Sequence, residues 1–283
     1  MSFVSKILNR YTCNIKQLPR SIDKLKSNNL TPIIDYANES YENYISNYQI
    51  IYDTINKYPN NTFALKFSSL GLSNTIKYNK NDIYLSAKKI IDLASKNNSI
   101  VMIDAEQNDI QHIINNWTNQ LVKEYNKNHP IIYKTYQMYR NDMYDIFCDD
   151  LDIFKDYYLG IKLVRGAYYN TDKNSGVLYC KKSDTDNAYN NAIKYFSEKN
   201  NIKHKLVVAS HNTESIELLN NYNNIDNISV AHLLGFSDKL SLELANKNYK
   251  VYKYLPFGNY KDTLPYLIRR LYENYPMLHY LKK

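Results

Sequence analysis

The sequence predicts an α/β fold, a single (βα)8 TIM barrel, and three observations support this prediction. Short β-type runs recur along the chain, and most are followed by a segment with apolar residues at helical spacing. Alternating strands and helices are typical of parallel βαβ units, and eight such units close a barrel. The 283 residues are close to the ~250 of one barrel, and no Gly/Ser-rich linker divides them.

The predicted elements follow from these patterns in chain order. Predicted strands occupy 32–36, 62–68, 99–104, 131–136, 161–164, 205–209, 228–231 and 249–254. Predicted helices occupy 82–96, 109–125, 184–199 and 213–222, and several begin with Asp or Thr, which are good N-cap residues. The pairs Asn97-Asn98 and Asn223-Asn224 indicate turns.

Composition bounds the class of protein. No apolar run approaches the ~18 residues that cross a bilayer, so we expect a soluble protein. The cysteines, Cys13, Cys148 and Cys180, are odd in number and widely spaced, which favours a reducing, intracellular compartment. The net charge is +8, but the lysines are scattered without a dense basic block. This pattern argues against nucleic acid as a partner.

The first 30 residues are predicted to form an N-terminal helical segment, and residues 31–283 the barrel. Phe3, Ile7 and Tyr11 lie at helical spacing, and four basic residues precede the first acid, Asp23. This pattern fits a short mitochondrial presequence and fits an ordinary amphipathic helix equally well. A cytoplasmic and a mitochondrial location therefore both stay open.

Polar side chains stand at the end of nearly every predicted strand. In a (βα)8 barrel the chemistry lies at the carboxyl ends of the strands, so these side chains are the candidate site. They are Glu39, Lys66, Asp104, Glu106, Gln137, Lys162, Arg165, His211, Asn212, His232 and Tyr254.

The last predicted helix carries two stripes of residues at the spacing of neighbouring turns. An apolar stripe predicted to pack inward consists of Leu264, Leu267, Ile268 and Leu271. A polar stripe consists of Tyr266, Arg269, Arg270 and Glu273. Two guanidiniums beside a carboxylate and a phenol are either solvated or line an anion site.

Lys66, Arg269 and Arg270 would be costly to bring together without an anion. A small carboxylate substrate meets that need, and Asp104 would then pair with Lys66 or with the amine of the substrate. Alternatively, Lys66 extends its ammonium to solvent and Asp104 caps a strand end.

Two further motifs are weaker signals. In KLVRGAYY, Gly166 would let the backbone approach a ligand closely and expose N–H groups. His211 and Asn212 fit a zinc ligand, a nucleotide contact or a hydrogen-bonded pair at the rim. The histidines show no HxH or HExxH spacing, so we predict no metal site.

Together the motifs resemble those of the proline dehydrogenase family, the monofunctional type of FAD-dependent enzyme that oxidises L-proline to Δ1-pyrroline-5-carboxylate. The resemblance spans about residues 33–274, through IIDYANE, LKFSSLG, MIDAEQ, TYQMYR, KLVRGAYY, ASHN, HLLGFSD and KYLPFGNYKDTLPYLIRRLYEN. It implies a distorted (βα)8 barrel with the last helix over the barrel mouth. It also implies hydride transfer from C5 of proline to N5 of FAD, the first step of proline catabolism to glutamate.

The resemblance implies roles for individual residues. Asp104 and Lys162 would be catalytic, with Lys162 nearest the flavin N5. The substrate would be bound by Lys66, Tyr254, Tyr266, Arg269, Arg270 and Leu233. FAD would be bound by Gln137, Lys162, Arg165, Gly166, Ala167, Ser210, His211, Asn212 and Glu273. Glu39 would pair with Arg269 as a gate.

The chain departs from the bacterial pattern at four places. Lys162 stands where many bacterial members have Arg, Ser210 where Thr is usual and His232 where Gln is common, and the loop 170–183 matches poorly. These departures bear on the flavin pocket.

The resemblance also implies partners: a quinone or another electron acceptor, reached at a membrane surface, and a separate pyrroline-5-carboxylate dehydrogenase. Three alternatives stay open. The first is a hydroxyproline dehydrogenase, against which the bulky phenol of Tyr254 argues. The second is a flavin-free lyase that uses Lys66 or Lys162 as a Schiff base. The third is a scaffold without activity.

Overall fold

The computed structural model describes residues 9–38, 43–75, 78–199, 201–222 and 225–273. Within these ranges the side chains of 225, 260, 262 and 269–273 lie outside the description. The predicted gate residue Glu39 and the predicted turn at Asn223-Asn224 also lie outside it.

Eight parallel strands in the described part close a barrel in the order β1 to β8. They are β1 (Leu30–Tyr36), β2 (Thr62–Leu65), β3 (Ile100–Ile103), β4 (Ile132–Gln137), β5 (Gly160–Val164), β6 (Lys205–Ala209), β7 (Ile228–Leu233) and β8 (Lys250–Phe257). Closure is made by β1 against β8, where Ile33 lies opposite Tyr254. The predicted (βα)8 barrel is confirmed.

Helices precede the first strand, connect successive strands and follow the last strand of the described chain. They are α1 (Leu18–Lys26), α2 (Tyr44–Lys57), α3 (Lys80–Lys96), α4 (Asn108–Tyr125), α5 (Met143–Ile153), α6 (Tyr169–Asp172), α7 (Lys182–Lys199), α8 (Thr213–Glu217), α9 (Asp238–Asn246) and α10 (Tyr260–Glu273).

Two predicted elements are shorter than the sequence suggested. The strand predicted at 62–68 ends at Leu65, and a 3-10 turn follows at Ser68–Leu70, which closes on Gly71 at φ 104°. Lys66 therefore lies just beyond the strand end. The helix predicted at 213–222 also changes form, because α8 gives way to the 3-10 turn Leu218–Asn221.

Side chains alternate across the barrel wall, as the two-residue period of a strand requires. On β1, Ile34 and Tyr36 join the apolar layer between strands and helices, while Ile33 and the following Ala37 belong to the interior. A buried interior cluster fills the barrel; it includes Ala64, Met102, Tyr133, Val207, Ala231 and Tyr252. The barrel is a packed core whose polar groups are displaced towards the strand ends.

Helix α10 lies over the barrel mouth. Tyr266 and Leu267 are buried and belong to the same cluster as Ala37 and Tyr254 of the barrel interior. The prediction that the apolar stripe packs inward is wrong for Leu264 and Ile268, which are 45% and 46% exposed. The helix meets the mouth along the Tyr266 side, so these two side chains face away from it.

The N-terminal segment is not helical throughout. Cys13 forms a bridge with Phe257 at the end of β8, its N–H donating to the Pro256 carbonyl at 3.0 Å. These backbone bonds hold the residues around Cys13 extended, and α1 begins only at Leu18. Among the described helices, none combines the length and apolar character needed to cross a bilayer.

Candidate active site

Five polar side chains meet inside the barrel, beneath α10. They come from five different strands or from the residues that directly follow them, and every one is at most 7% exposed. We call them the central cluster: Asp35, Lys66, Asp104, Lys162 and Tyr254. Because two carboxylates face two ammonium groups, the described cluster is close to electrically neutral.

Lys66 lies among three acceptors. Its Nζ is 2.5 Å from Oδ1 of Asp35 and 3.1 Å from the hydroxyl of Tyr254. Oδ2 of Asp104 is 3.5 Å away. The predicted pairing of Asp104 with Lys66 is therefore present, although the shorter ion pair joins Lys66 to Asp35.

Asp104 is the acceptor shared by the cluster. Its Oδ1 accepts a hydrogen bond from Lys162, and its Oδ2 accepts one of 2.7 Å from the Tyr254 hydroxyl. Burial by itself raises the pKa of this carboxyl, but the charges of Lys162 and Lys66 outweigh it and lower the pKa to about 2. Burial, followed by the charge of Asp104, raises the pKa of Tyr254. The carboxylate is thus ionised and the phenol neutral at physiological pH.

Asp35 was not predicted as a site residue. It is 1% exposed and lies on β1 with the parity of Ile33 and Ala37, which places it inside the barrel. The signal in the sequence is a single acid in the apolar run IIDYA. Charged groups are rarely buried unless they are paired, so an acid at an interior position already calls for a cation.

Arg165, just after β5, is held by a fork of hydrogen bonds. Its Nη1 donates to Ser210 Oγ at 2.7 Å and its Nη2 to Ser215 Oγ at 2.9 Å. Nε pairs with Asp186 at 2.6 Å, and the guanidinium lies 4.3 Å from the ring centre of Tyr189. The contacts fix a partly buried cation at the rim beside the ends of β5 and β6.

His211 and Asn212 follow β6. The Leu233 N–H donates to Nε2 of His211 at 3.3 Å, so the ring proton lies on Nδ1, which is 2.9 Å from Ser237 Oγ. Asn212 is the N-cap of α8, where its side chain accepts from the Ser215 N–H at 3.2 Å. Its side chain therefore has a structural use besides the predicted one.

His232 points out of the barrel. Its ring stacks on His211 at 5.2 Å, and Nδ1 is 2.8 Å from Ser241 Oγ. Burial, with the charges of His211 and Lys253, lowers the pKa of His232 to about 3. His232, which stands where Gln is common in bacterial members, therefore lies behind His211 and outside the central cluster.

Gly166 is required by packing. Its φ is 142°, and a Cβ at this position would lie 2.5 Å from the ring of Tyr139. The hydroxyl of Tyr139 in turn donates to Asp172 at 2.7 Å, which ties the poorly matching loop 170–183 to the residues after β4. Ala167 is half-buried directly after Gly166.

Gln137 ends β4 with its amide in the interior. Nε2 donates to the Glu106 carbonyl at 3.2 Å, while the buried Oε1 has no partner among the described residues. A buried acceptor without a donor is uncommon and calls for an explanation.

The remaining predicted site residues divide into two groups. Tyr266 is buried near Tyr254, and Leu233 lies opposite Tyr254 in the pairing of β7 with β8. Arg269, Arg270 and Glu273 belong to α10, but their side chains lie outside the described part, as Glu39 does entirely. The predicted carboxylate clamp and gate stay predictions.

Sequence comparisons address the family. The sequence profile of the family described as Proline dehydrogenase matches residues 18–282. The chain is 34% identical over 210 residues to "Proline dehydrogenase 1, mitochondrial" of Dictyostelium discoideum, a match covering 66% of this chain and 36% of that protein. It is 33% identical over 214 residues to "Hydroxyproline dehydrogenase" of Xenopus laevis, covering 69% and 46% respectively. The chain thus spans less than half the length of these relatives.

A comparison with solved structures addresses the fold. Proline utilization A from Bdellovibrio bacteriovorus, in a form inactivated by N-propargylglycine, superposes with a TM-score of 0.81 at 19% sequence identity. The superposition covers 96% of this chain and 33% of that one. The barrel agrees over nearly its whole length, and the profile match covers the same residues. The chain therefore belongs to the proline dehydrogenase family.

Proposed function

We propose that this protein is a flavin-dependent dehydrogenase that oxidises L-proline to Δ1-pyrroline-5-carboxylate. The observation that carries the proposal is the central cluster: buried ammonium and carboxylate groups that come from separate strands and meet beneath α10 at the barrel mouth. Folding alone does not require buried charges at this place, because the barrel interior below them is filled by apolar side chains and tyrosines. A zwitterionic amino acid matches both signs of charge.

Lys66 is the described group best suited to the substrate carboxylate. Its ammonium is held by Asp35 and Tyr254 at the top of the interior, where a buried charge acts strongly on a neighbouring anion. Family resemblance adds Arg269 and Arg270 on α10. Asp104 and the Tyr254 hydroxyl would bound the substrate on the opposite side and fix the orientation of the pyrrolidine ring.

The reaction removes two electrons and two protons from a C–N single bond. The C5–H bond breaks as hydride, the amine N–H proton is lost to solvent, and a C5=N bond forms. FAD, when bound, would supply the two-electron acceptor. The hydrogen bond to Asp104 holds Lys162 in place, and its ammonium would stabilise the negative charge that develops on the acceptor.

The described residues fit a flavin. The buried Oε1 of Gln137 has no donor within the described structure, and a flavin ring system offers N–H donors. The guanidinium of Arg165, fixed at the rim by Ser210 and Ser215, suits an anionic phosphate. Ser210, His211, Gly166 and Ala167 lie at the ends of the neighbouring strands β5 and β6 and support the same proposal.

Hydroxyproline oxidation is the second candidate, because a relative named "Hydroxyproline dehydrogenase" matches the chain at 33% sequence identity. Tyr254 argues for proline. Its hydroxyl is tied both to Lys66 and to Asp104, so the ring cannot turn aside to admit a 4-hydroxyl without breaking two buried hydrogen bonds. The Schiff-base alternative is disfavoured because Lys66 and Lys162 are each already engaged in an ion pair with a carboxylate.

The proposal includes a quinone or another electron acceptor and a separate dehydrogenase that consumes pyrroline-5-carboxylate. A mitochondrial location is part of it, because relatives named as mitochondrial match the chain.

An anaerobic spectrum tests the proposal. We expect purified protein, reconstituted with FAD, to show flavin absorption that is bleached by L-proline. Hydroxyproline should bleach it much more slowly at equal concentration. Protein that binds no flavin, or a bound flavin that proline leaves oxidised, would refute the proposal, and faster bleaching by hydroxyproline would select the second candidate.

A further inference from the structure

Two of the buried lysine–aspartate pairs in the described part of the chain have nearly the same geometry. Inside it, Lys66 and Asp35 are 2.5 Å apart with side chains 3% and 2% exposed. Outside β4, Lys134 and Asp150 are 2.5 Å apart with side chains 2% and 5% exposed. The second pair is surrounded by Asn119 and Tyr136 and lies between strand and helices, which makes it a structural pair. The first pair lies at the proposed substrate site.

The described charged and titratable groups around Lys66 come from several strands. Asp35 comes from β1, Asp104 follows β3, Lys162 comes from β5 and Tyr254 from β8; Tyr266 of α10 lies next to Tyr254. Asp104 is already engaged by Lys162 and by the Tyr254 hydroxyl. Of the described carboxylates near Lys66, Asp104 also binds Lys162, whereas Asp35 does not.

We propose that Asp35 is a positioning residue for substrate binding: it keeps Lys66 protonated and holds its ammonium at the place where the substrate carboxylate binds. This assignment rests on the proposed function. Without Asp35, the nearest anion to Lys66 among the described side chains is Asp104, 3.5 Å away, for which Lys162 competes. Burial would then favour the neutral amine of Lys66, which attracts a carboxylate far less.

The primary test is Asp35→Asn, which keeps the shape of the side chain and removes its charge. We expect KM for L-proline to rise by about tenfold, the effect of weakening one charge-assisted contact, with a smaller change in kcat. We also expect the alkaline limb of the profile of kcat/KM against pH to move to lower pH, because Lys66 loses its proton more easily. A purely structural role would not move that limb.

A double-mutant cycle shows whether Asp35 acts through Lys66. In a Lys66→Met background, Asp35→Asn should change KM by less than about twofold, because the group it positions is gone. Equal effects of Asp35→Asn in the two backgrounds would overturn the proposal. Asp35→Glu keeps the charge and should retain the alkaline limb of the wild type even if KM rises.

Asp150→Asn is the matched control. It removes the same charge from an equally buried pair outside the barrel, so it should lower stability without moving KM or the alkaline limb. If both asparagine variants shift KM alike, Asp35 has only a structural role and the proposal fails. Failure of the proposed function looks different, since the wild type itself would then not oxidise proline. An unchanged KM in Asp35→Asn beside normal wild-type turnover would refute only the role of Asp35.

Discussion

The hydroxyl of Tyr254 donates a 2.7 Å hydrogen bond to Oδ2 of Asp104, which joins β8 to the end of β3 across the barrel interior. The same hydroxyl accepts a hydrogen bond from Lys66 at 3.1 Å. Because the phenol both accepts and donates, the aromatic ring is fixed in the mouth, and the orientation of Asp104 depends on it.

Tyr254→Phe should keep the ring and release Asp104. We expect kcat/KM for proline to fall by about tenfold, since one buried hydrogen bond to a charged group is lost and Lys66 loses an acceptor. Steady-state kinetics measure the change. Tyr252→Phe is the control, because it changes the preceding interior residue of β8, which is equally buried but outside the central cluster. An equal loss in both variants would contradict a specific role for Tyr254.

The low pKa of Asp104 predicts a dependence of stability on pH. Its folded pKa of about 2 lies below the ordinary value of 3.8, so ionisation stabilises the folded state at pH values above about 4. That contribution, about 2 kcal/mol, should disappear as the pH falls from about 4 to 2. Thermal unfolding of the wild type and Asp104→Asn between pH 2 and 7 measures it. A stability difference that stays constant down to pH 2 would disprove the shift.

Gly166→Ala should destabilise the fold and weaken flavin binding. The added methyl group would meet the Tyr139 ring at 2.5 Å, in a backbone conformation that favours glycine. We expect a loss of about 2–3 kcal/mol in the free energy of unfolding, measured with denaturant. Gly176→Ala is the matched control: φ is 76° and nothing lies within 4 Å of its Cβ, so backbone strain alone should cost about 1 kcal/mol. Equal losses of unfolding free energy in the two variants would show that the Tyr139 ring moves aside to make room for the methyl group.

Arg165→Lys should lower the affinity for FAD by about tenfold or more, because an ammonium cannot reproduce the fork that reaches Ser210 and Ser215. Flavin retained after gel filtration and a fluorescence titration measure the affinity. Lys182→Ala is the control, since Lys182 pairs with the same Asp186 but is 76% exposed. Unchanged flavin affinity in Arg165→Lys would show that the phosphates bind elsewhere.

The fold could be predicted from the sequence because each strand is a short apolar run with polar residues at its end. For the same reason Lys66, Asp104, Lys162 and Tyr254 could be identified as candidates. Their partners could not be read from spacing, because Asp104 and Tyr254 are 150 positions apart and meet only when the barrel closes. Asp35 was missed because it lies inside β1, one residue before the strand ends at Tyr36.

Helix α10 shows why an apolar stripe alone does not determine the buried face. Leu264 and Ile268 have the spacing of a packing face, yet both are exposed, while Thr263 and Tyr266 are buried. A helix beside a barrel packs its apolar stripe on the strands, whereas α10 lies over the polar end of the interior. The surface that receives a helix decides which face is buried, and no local pattern carries that information.

The bridge between Cys13 and Phe257 makes the residues around Cys13 a part of the barrel rim. The Arg10 carbonyl lies 2.6 Å from where a Cβ on Gly235 would stand, and the Tyr11 ring contacts Phe236, which in turn contacts His211. Removal of the residues up to 13 would take away the ring of Tyr11, which supports Phe236 behind His211. We therefore expect a shortened chain to keep this support only if it retains Arg10 and the residues that follow it.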